Sequence, residues 1–112
     1  MTTLITRDEL QAAIADGELT VVDALPASYF EQLHLPGAVN LFVEEAAARA
    51  ASVLPDKNAA IVAYCSNEAC PNSEGVARIL TRLGYTDVRK YREGIQDWVE
   101  AGLPTESTAS AA

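Results

Sequence analysis

The two cysteines of the chain, Cys65 and Cys70, are the residues whose type and spacing first indicate chemistry. Two cysteines are too few for a disulfide framework, and their closeness in sequence favours a chemical pair over a structural staple. Cys65 directly follows the apolar run at residues 59–64, which is typical of a buried strand. Because ligands of parallel α/β sheets lie beyond the carboxyl ends of the strands, we predict a nucleophilic thiol at Cys65. The alternative is a buried and inert cysteine, a common role of this residue type.

The loop after Cys65 leads into a predicted helix over residues 73–83, whose N-terminus either Asn72 or Ser73 can cap. The unpaired amides and the partial positive charge of a helix N-terminus stabilise a nearby anion. A thiolate is such an anion, and a helix N-terminus lowers the pKa of a cysteine from about 8.5 toward neutrality. The loop therefore suits a reactive thiolate at neutral pH.

Strands that alternate with helices must hold this loop in place. Thr6 and Glu9 form a predicted capping box at the start of the first helix, which ends at Gly17. Buried or short strands are predicted over residues 20–24, 38–41, 59–64 and 87–91. Further helices are predicted over residues 44–52, 73–83 and 95–101, with a helical turn around Tyr29 and Phe30. This order predicts an α/β fold with a mostly parallel sheet and helices on both faces.

Composition narrows the function further. The 112 residues fit one domain, and sixteen acidic against eight basic residues give a formal charge of −8. Such a charge repels phosphate backbones and anionic lipids, so we expect neither nucleic acid nor a membrane as a partner. The N-terminus lacks a targeting pattern and no apolar run is long enough to span a bilayer, which favours the cytoplasm. Two cysteines and one histidine do not make a structural zinc site, so neither metal nor cofactor is expected.

Four segments, taken in order, resemble the single-domain rhodanese-like proteins, a family of sulfurtransferases that carry sulfane sulfur as a cysteine persulfide. They are the His-Leu-Pro-Gly-Ala-Val-Asn sequence at residues 34–40, the strand running into Cys65, Leu-Gly-Tyr at 83–85, and the stretch from Gly94 through Trp98 to Pro104. The resemblance covers residues 6–104. It implies a rhodanese-like domain at residues 1–104 with about five strands. The small and polar residues 105–112 that follow predict a flexible tail.

The resemblance also implies roles for individual residues. Cys65 would be the nucleophile that bears the persulfide, and sulfur would pass from a donor to a thiol acceptor, each a small molecule or a protein. Asp23, His34 and Trp98 would be structural, holding loops and core near the site. The backbone amides of the following loop would cradle the sulfur or a bound anion: Ser66, Asn67, Glu68, Ala69, Cys70, Pro71, Asn72 and Ser73.

The loop departs from the commonest form in the family, which has six residues including the cysteine and ends in arginine. Here no Arg or Lys lies between Cys65 and Arg78, and Glu68 adds a charge that repels anions. Since arginine is the natural partner of thiosulfate oxygens, the sequence argues against thiosulfate as the donor. Cys70 is either a second thiol that releases the sulfur by forming a disulfide with Cys65, or an unreactive loop residue that packs inward.

Two other classes of function stay open. A thiol redox sensor or a protein-interaction module would use Cys65 and Cys70 to report oxidation. A phosphatase or arsenate reductase is disfavoured, because a tetrahedral dianion requires an arginine near the end of the loop, where this chain has Pro71.

Overall fold

A computed structural model describes residues 3–108 of the chain. Its centre is a five-stranded sheet in the order β1-β5-β4-β2-β3, with every neighbouring pair parallel. The strands are β1 (Thr3–Leu4), β2 (Thr20–Asp23), β3 (Val39–Asn40), β4 (Ala60–Tyr64) and β5 (Asp87–Tyr91). The predicted α/β fold with a mostly parallel five-stranded sheet is confirmed.

In the part of the chain that the structure describes, four α-helices connect the strands and a fifth follows β5. They are α1 (Arg7–Asp16), α2 (Ala27–Gln32), α3 (Ala46–Val53), α4 (Asn72–Arg82) and α5 (Gly94–Glu100), and a short 3₁₀ turn at Val43–Glu45 precedes α3. The capping box between Thr6 and Glu9 begins α1, and Gly17 ends it in a left-handed conformation. Side-chain hydrogen bonds therefore set the start of this helix, and the backbone freedom of glycine sets its end, as the sequence predicts.

The helices cover both faces of the sheet, and each face has its own apolar core. On one face Ala50 of α3 and Leu80 of α4 pack with Val22 and Ile61 of the sheet. On the other face Leu10 of α1 and Trp98 of α5 belong to a cluster with the strand residues Val21, Val62, Tyr64 and Tyr91. The central strands are thus buried on both sides, which explains their continuous apolar runs.

The strand register brings the functional loop and two other segments to one edge. Asp23, Tyr64 and Tyr91 are paired across β2, β4 and β5 at the carboxyl ends of these strands. The residues that follow them, Ala24, Cys65 and Arg92, therefore begin three loops at the same edge of the sheet.

The structure differs from the sequence expectations in three places. The pattern does not predict β1, a two-residue edge strand that pairs with β5. Neither Asn72 nor Ser73 is the N-cap of α4: that residue is Pro71, and no side chain caps the helix. Glu106 forms an antiparallel bridge with His34, so residues 105–108 are attached to the domain where a flexible tail is expected. The rest of that expected tail, residues 109–112, lies outside the described residues.

Within residues 3–108, none of the helices is long and apolar enough to cross a membrane.

Candidate functional site

Cys65 lies immediately after β4 and is 1% exposed. Its sulfur is joined to that of Cys70 in a disulfide, with the two Cα atoms 6.2 Å apart. Neither cysteine is therefore a free thiol in this state. The structure thus brings the two sulfur atoms of the loop together in its oxidised form.

Asn67 shapes the turn between the two cysteines. Its side-chain Oδ1 accepts a hydrogen bond from the Ala69 amide at 3.0 Å, and its backbone carbonyl accepts one from the Cys70 amide at 3.1 Å. These bonds fold the loop back, so that Cys70 faces Cys65. In this disulfide state they also occupy two of the amides expected to cradle an anion, those of Ala69 and Cys70.

The N-terminus of α5 holds the first residues of the loop. The amides of Ile95 and Gln96 donate to the carbonyls of Cys65 and Ser66, each at 2.9 Å, and Asn67 Nδ2 donates to Gln96 Oε1 at 3.1 Å. Helix α5 thereby contacts three consecutive residues of the loop, beginning with Cys65.

Gly94 makes this close approach possible. Its φ is +75°, and a Cβ atom there would lie 2.6 Å from the carbonyl carbon of Ser66 and 2.7 Å from the carbonyl oxygens of Cys65 and Ser66. Only glycine fits both the backbone conformation and the space. Sequence reasoning missed this role, although Gly94 belongs to a segment that carries the family resemblance.

Beneath the loop, Asp23 and Tyr64 form a buried polar pair. The Tyr64 hydroxyl donates to Asp23 Oδ2 at 2.7 Å and accepts from the Leu35 amide at 3.1 Å, while Asp23 Oδ1 accepts from the Leu25 amide at 2.8 Å. Burial raises the pKa of Asp23, partly offset by these hydrogen bonds and by His34. The pair ties the carboxyl ends of β2 and β4 to the segment before β3. The sequence pattern does not distinguish Tyr64 as a site residue, because its apolar neighbours are typical of a buried strand.

His34 is buried, and its polar contacts are with residues outside the disulfide loop. Its Nδ1 donates to the Phe30 carbonyl at 2.6 Å, and the two rings stack with centroids 3.9 Å apart. Its Nε2 lies 3.8 Å from Glu106 Oε1, and the two residues also exchange backbone hydrogen bonds. These contacts hold α2, the loop before β3 and the C-terminal segment together.

Asn72 fixes the end of the loop to the residue that follows β2. Its Nδ2 donates to the carbonyl of Ala24 at 3.2 Å, so the side chain serves a neighbouring loop instead of capping its own helix. Ser73 is buried at 3% exposure, and the Pro71 carbonyl accepts from the Gly75 amide at 3.0 Å.

A cation reaches the loop from the neighbouring strand. Arg92, directly after β5, places its Nε 3.2 Å from Glu68 Oε1, and both side chains are at least half exposed. No Arg or Lys lies between Cys65 and Arg78, and only the register of β4 and β5 indicates that Arg92 is near. Because the ion pair is exposed, Arg92 offsets only part of the negative charge of Glu68. We call the exposed charged edge of the loop, formed by Glu68 and Arg92, the rim.

An open cleft of about 390 Å³ lies between the loop and α5. Four of the side chains that line it are acidic: Glu68, Glu93, Asp97 and Glu100. Arg92 pairs with Glu68 and Glu93, and Arg7 pairs with Asp97, so four carboxylates and two guanidiniums leave the cleft a net negative charge. This charge favours neutral or cationic thiols over anionic ones beside the loop.

Comparison with known proteins places most of this architecture in a described family. The sequence model of the "Rhodanese-like domain" matches residues 6–101 of the chain. The match includes every strand from β2 to β5 and all the loop residues described above.

Two curated relatives share this region. The chain is 36% identical over 105 residues to the HTH-type transcriptional regulator Rv0324 of Mycobacterium tuberculosis, covering 94% of the chain and 45% of that protein. It is 34% identical over 67 residues to the thiosulfate sulfurtransferase PspE of Escherichia coli, covering 60% of the chain and 62% of that protein. The chain thus spans less than two thirds of the length of either relative.

Solved structures show the same fold. The BH2092 protein of Bacillus halodurans superposes with a TM-score of 0.87 at 24% identity, over 96% of this chain and 79% of that one. A rhodanese from E. coli, solved with anions, superposes with a TM-score of 0.64 at 28% identity, over 79% of this chain and 96% of that one.

Proposed function

Because the chain belongs to the rhodanese-like domain family, we propose that it is a sulfurtransferase domain that carries sulfane sulfur as a persulfide on Cys65. The observation that carries this proposal is the position of Cys65, at the carboxyl end of the central strand β4 and at the head of the loop before α4. A thiolate there lies where parallel α/β folds bind their ligands. The relative PspE, named as a thiosulfate sulfurtransferase, supports the same reaction class.

In the loading step, the Cys65 thiolate attacks the outer sulfur of a donor persulfide R–S–SH. A Cys65–S–SH persulfide forms, the S–S bond of the donor breaks, and the donor leaves as the thiolate R–S⁻. In the proposed loaded state, with the disulfide open, backbone N–H groups of residues 66–73, apart from Pro71, which has none, face the persulfide and stabilise its charge. Ser66 is placed to help, since its Oγ lies 3.8 Å from Cys65 Sγ.

In the release step, the Cys70 thiolate attacks the inner sulfur of the persulfide. The Cys65–Cys70 disulfide forms, and the outer sulfur leaves as hydrosulfide HS⁻. The closeness of the two sulfurs, with Cα atoms 6.2 Å apart, supports this role for Cys70 over that of an inert loop residue. An external thiol acceptor would compete with this step by attacking the outer sulfur of the persulfide instead.

The charge around the loop favours a persulfide over thiosulfate as the donor. Thiosulfate carries two negative charges, and the two arginines at this cleft, Arg92 and Arg7, already pair with the carboxylates of the cleft. We further propose that the domain works in the cytoplasm, where reducing conditions make a disulfide between such close cysteines a transient catalytic species.

Intact-protein mass spectrometry tests the proposal. Reduced wild type, Cys65→Ser and Cys70→Ser are incubated with a persulfide donor and, separately, with thiosulfate. A gain of one sulfur atom that requires Cys65 and survives longest in Cys70→Ser is expected with the persulfide donor. The proposal fails if Cys65→Ser takes up as much sulfur as the wild type, or if no variant takes up any.

A thiol redox sensor is the second candidate, because the observed disulfide is the product of simple two-electron oxidation. In that case mild oxidation would close the disulfide without any sulfur uptake from either donor. The same mass measurement separates the two functions, since loading adds sulfur and oxidation removes two hydrogens.

A further inference from the structure

The two cysteines of the disulfide differ in their exposure to solvent. Cys65 is 1% exposed, whereas Cys70 is partly exposed and follows two exposed residues, Glu68 and Ala69. Thiol–disulfide exchange requires a thiolate to approach one sulfur in line with the S–S bond. A molecule from solution therefore reaches the sulfur of Cys70 more readily than that of Cys65.

The two cysteines also differ in how firmly their backbone is held. The carbonyls of Cys65 and Ser66 accept hydrogen bonds from α5, and Gly94 packs directly against them. The Cys70 amide, in contrast, bonds only within the loop, to the Asn67 carbonyl. The backbone of Cys65 is therefore fixed by α5, whereas a local change of the loop alone can move Cys70 further into solvent.

We propose, building on the proposed function, that an external thiol reopens the disulfide by attacking Cys70, so that Cys65 is the leaving thiolate. The first step is R–S⁻ + Cys65–S–S–Cys70 → R–S–S–Cys70 + Cys65–S⁻. A second thiolate then attacks the R sulfur of the mixed disulfide and frees Cys70, so the reductant as a whole supplies two electrons. The reductant class is a dithiol, or two monothiols in succession.

The leaving role suits Cys65 for a second reason. Its sulfur contacts the Ser66 hydroxyl at 3.8 Å, which can donate to the departing thiolate. A stabilised thiolate leaves faster in disulfide exchange.

This order has a consequence for catalysis. While the reductant is still bound to Cys70, Cys65 is already a thiolate and can accept the next sulfur. Cys70 is blocked in that interval, so it cannot discharge the new persulfide. Loading is thereby separated in time from release.

The test is to trap the mixed disulfide in the wild-type protein. Protein oxidised to the Cys65–Cys70 disulfide is mixed briefly with cysteamine, quenched with acid and alkylated with N-ethylmaleimide, and fragment ions that separate residues 65 and 70 locate each group. At the shortest times we expect cysteamine on Cys70 and alkylation on Cys65 in about tenfold excess over the reverse pattern. The same reaction in denaturant, where burial no longer protects Cys65, should give nearly equal amounts.

Cysteamine mainly on Cys65, or an equal distribution in the folded protein extrapolated to zero time, would overturn the inference. Failure of mild oxidation to form the disulfide would overturn it as well. The trapping experiment starts from oxidised protein and uses no sulfur donor. Its outcome is therefore independent of sulfur loading on the reduced protein, and either proposal can fail alone.

Discussion

Replacing Gly94 by alanine should destabilise the domain through the contact between α5 and the loop after Cys65. A non-glycine residue in the left-handed region costs about 1–2 kcal/mol. The added Cβ would also lie 2.6 Å from the Ser66 carbonyl carbon, so the two chains must separate. Separation weakens the hydrogen bonds from Ile95 and Gln96, each contributing about 1 kcal/mol. The free energy of unfolding should therefore fall by about 3 kcal/mol in total.

Gly102→Ala is the matched control. Gly102 has nearly the same φ, +76°, but nothing lies within 4 Å of the position of its Cβ. Its substitution should cost only the conformational part, about 1–2 kcal/mol. Chemical denaturation of both variants measures the difference, and Gly94→Ala should also lower Tm by roughly 10–20 °C. Equal destabilisation of the two variants would refute the close packing of α5 on the loop.

Three further predictions concern the buried pair and the rim. Tyr64→Phe leaves an oxygen of Asp23 and the Leu35 amide without their partner and should cost about 2–4 kcal/mol in urea unfolding, whereas a cost below about 1 kcal/mol would contradict the pairing. Because burial raises the pKa of Asp23, its ionisation opposes folding, so the stability of wild type relative to Asp23→Asn should be constant below about pH 4 and fall as the pH rises through the raised pKa; a flat difference would contradict the sign. Glu68→Gln should speed disulfide opening by the anionic thiol glutathione about two- to fivefold at low salt but leave cysteamine no faster, and Glu18→Gln, before β2 at the opposite edge, should change neither rate.

Local patterns account for most of what the sequence predicts correctly. The capping box of Thr6 and Glu9 and the apolar runs of β2 and β4 are determined by neighbours in sequence, and the structure has them where the pattern places them. β1 could not be predicted in this way, because two residues carry no periodicity and their pairing partner, β5, lies far along the chain.

The candidate site likewise has features that the sequence shows and features that depend on the fold. The position of Cys65 after a buried strand is visible in the sequence, but its bond to Cys70 depends on the loop geometry that Asn67 sets. Asn72 looks like a cap for α4, yet its side chain donates to Ala24 across the sheet edge. Arg92 joins the rim only through the register of two strands. Interactions between distant segments are what the sequence pattern leaves out.

A single-turnover experiment on one sample tests the central claim most directly. Reduced wild type is loaded with one sulfur from a persulfide donor, freed of excess donor, and followed by mass spectrometry together with a hydrosulfide assay. We expect the persulfide to be on Cys65 and to disappear as one hydrosulfide and one Cys65–Cys70 disulfide form per protein, with Cys70→Ser keeping its persulfide. Sulfur located on Cys70, or hydrosulfide released equally fast by Cys70→Ser, would contradict the account.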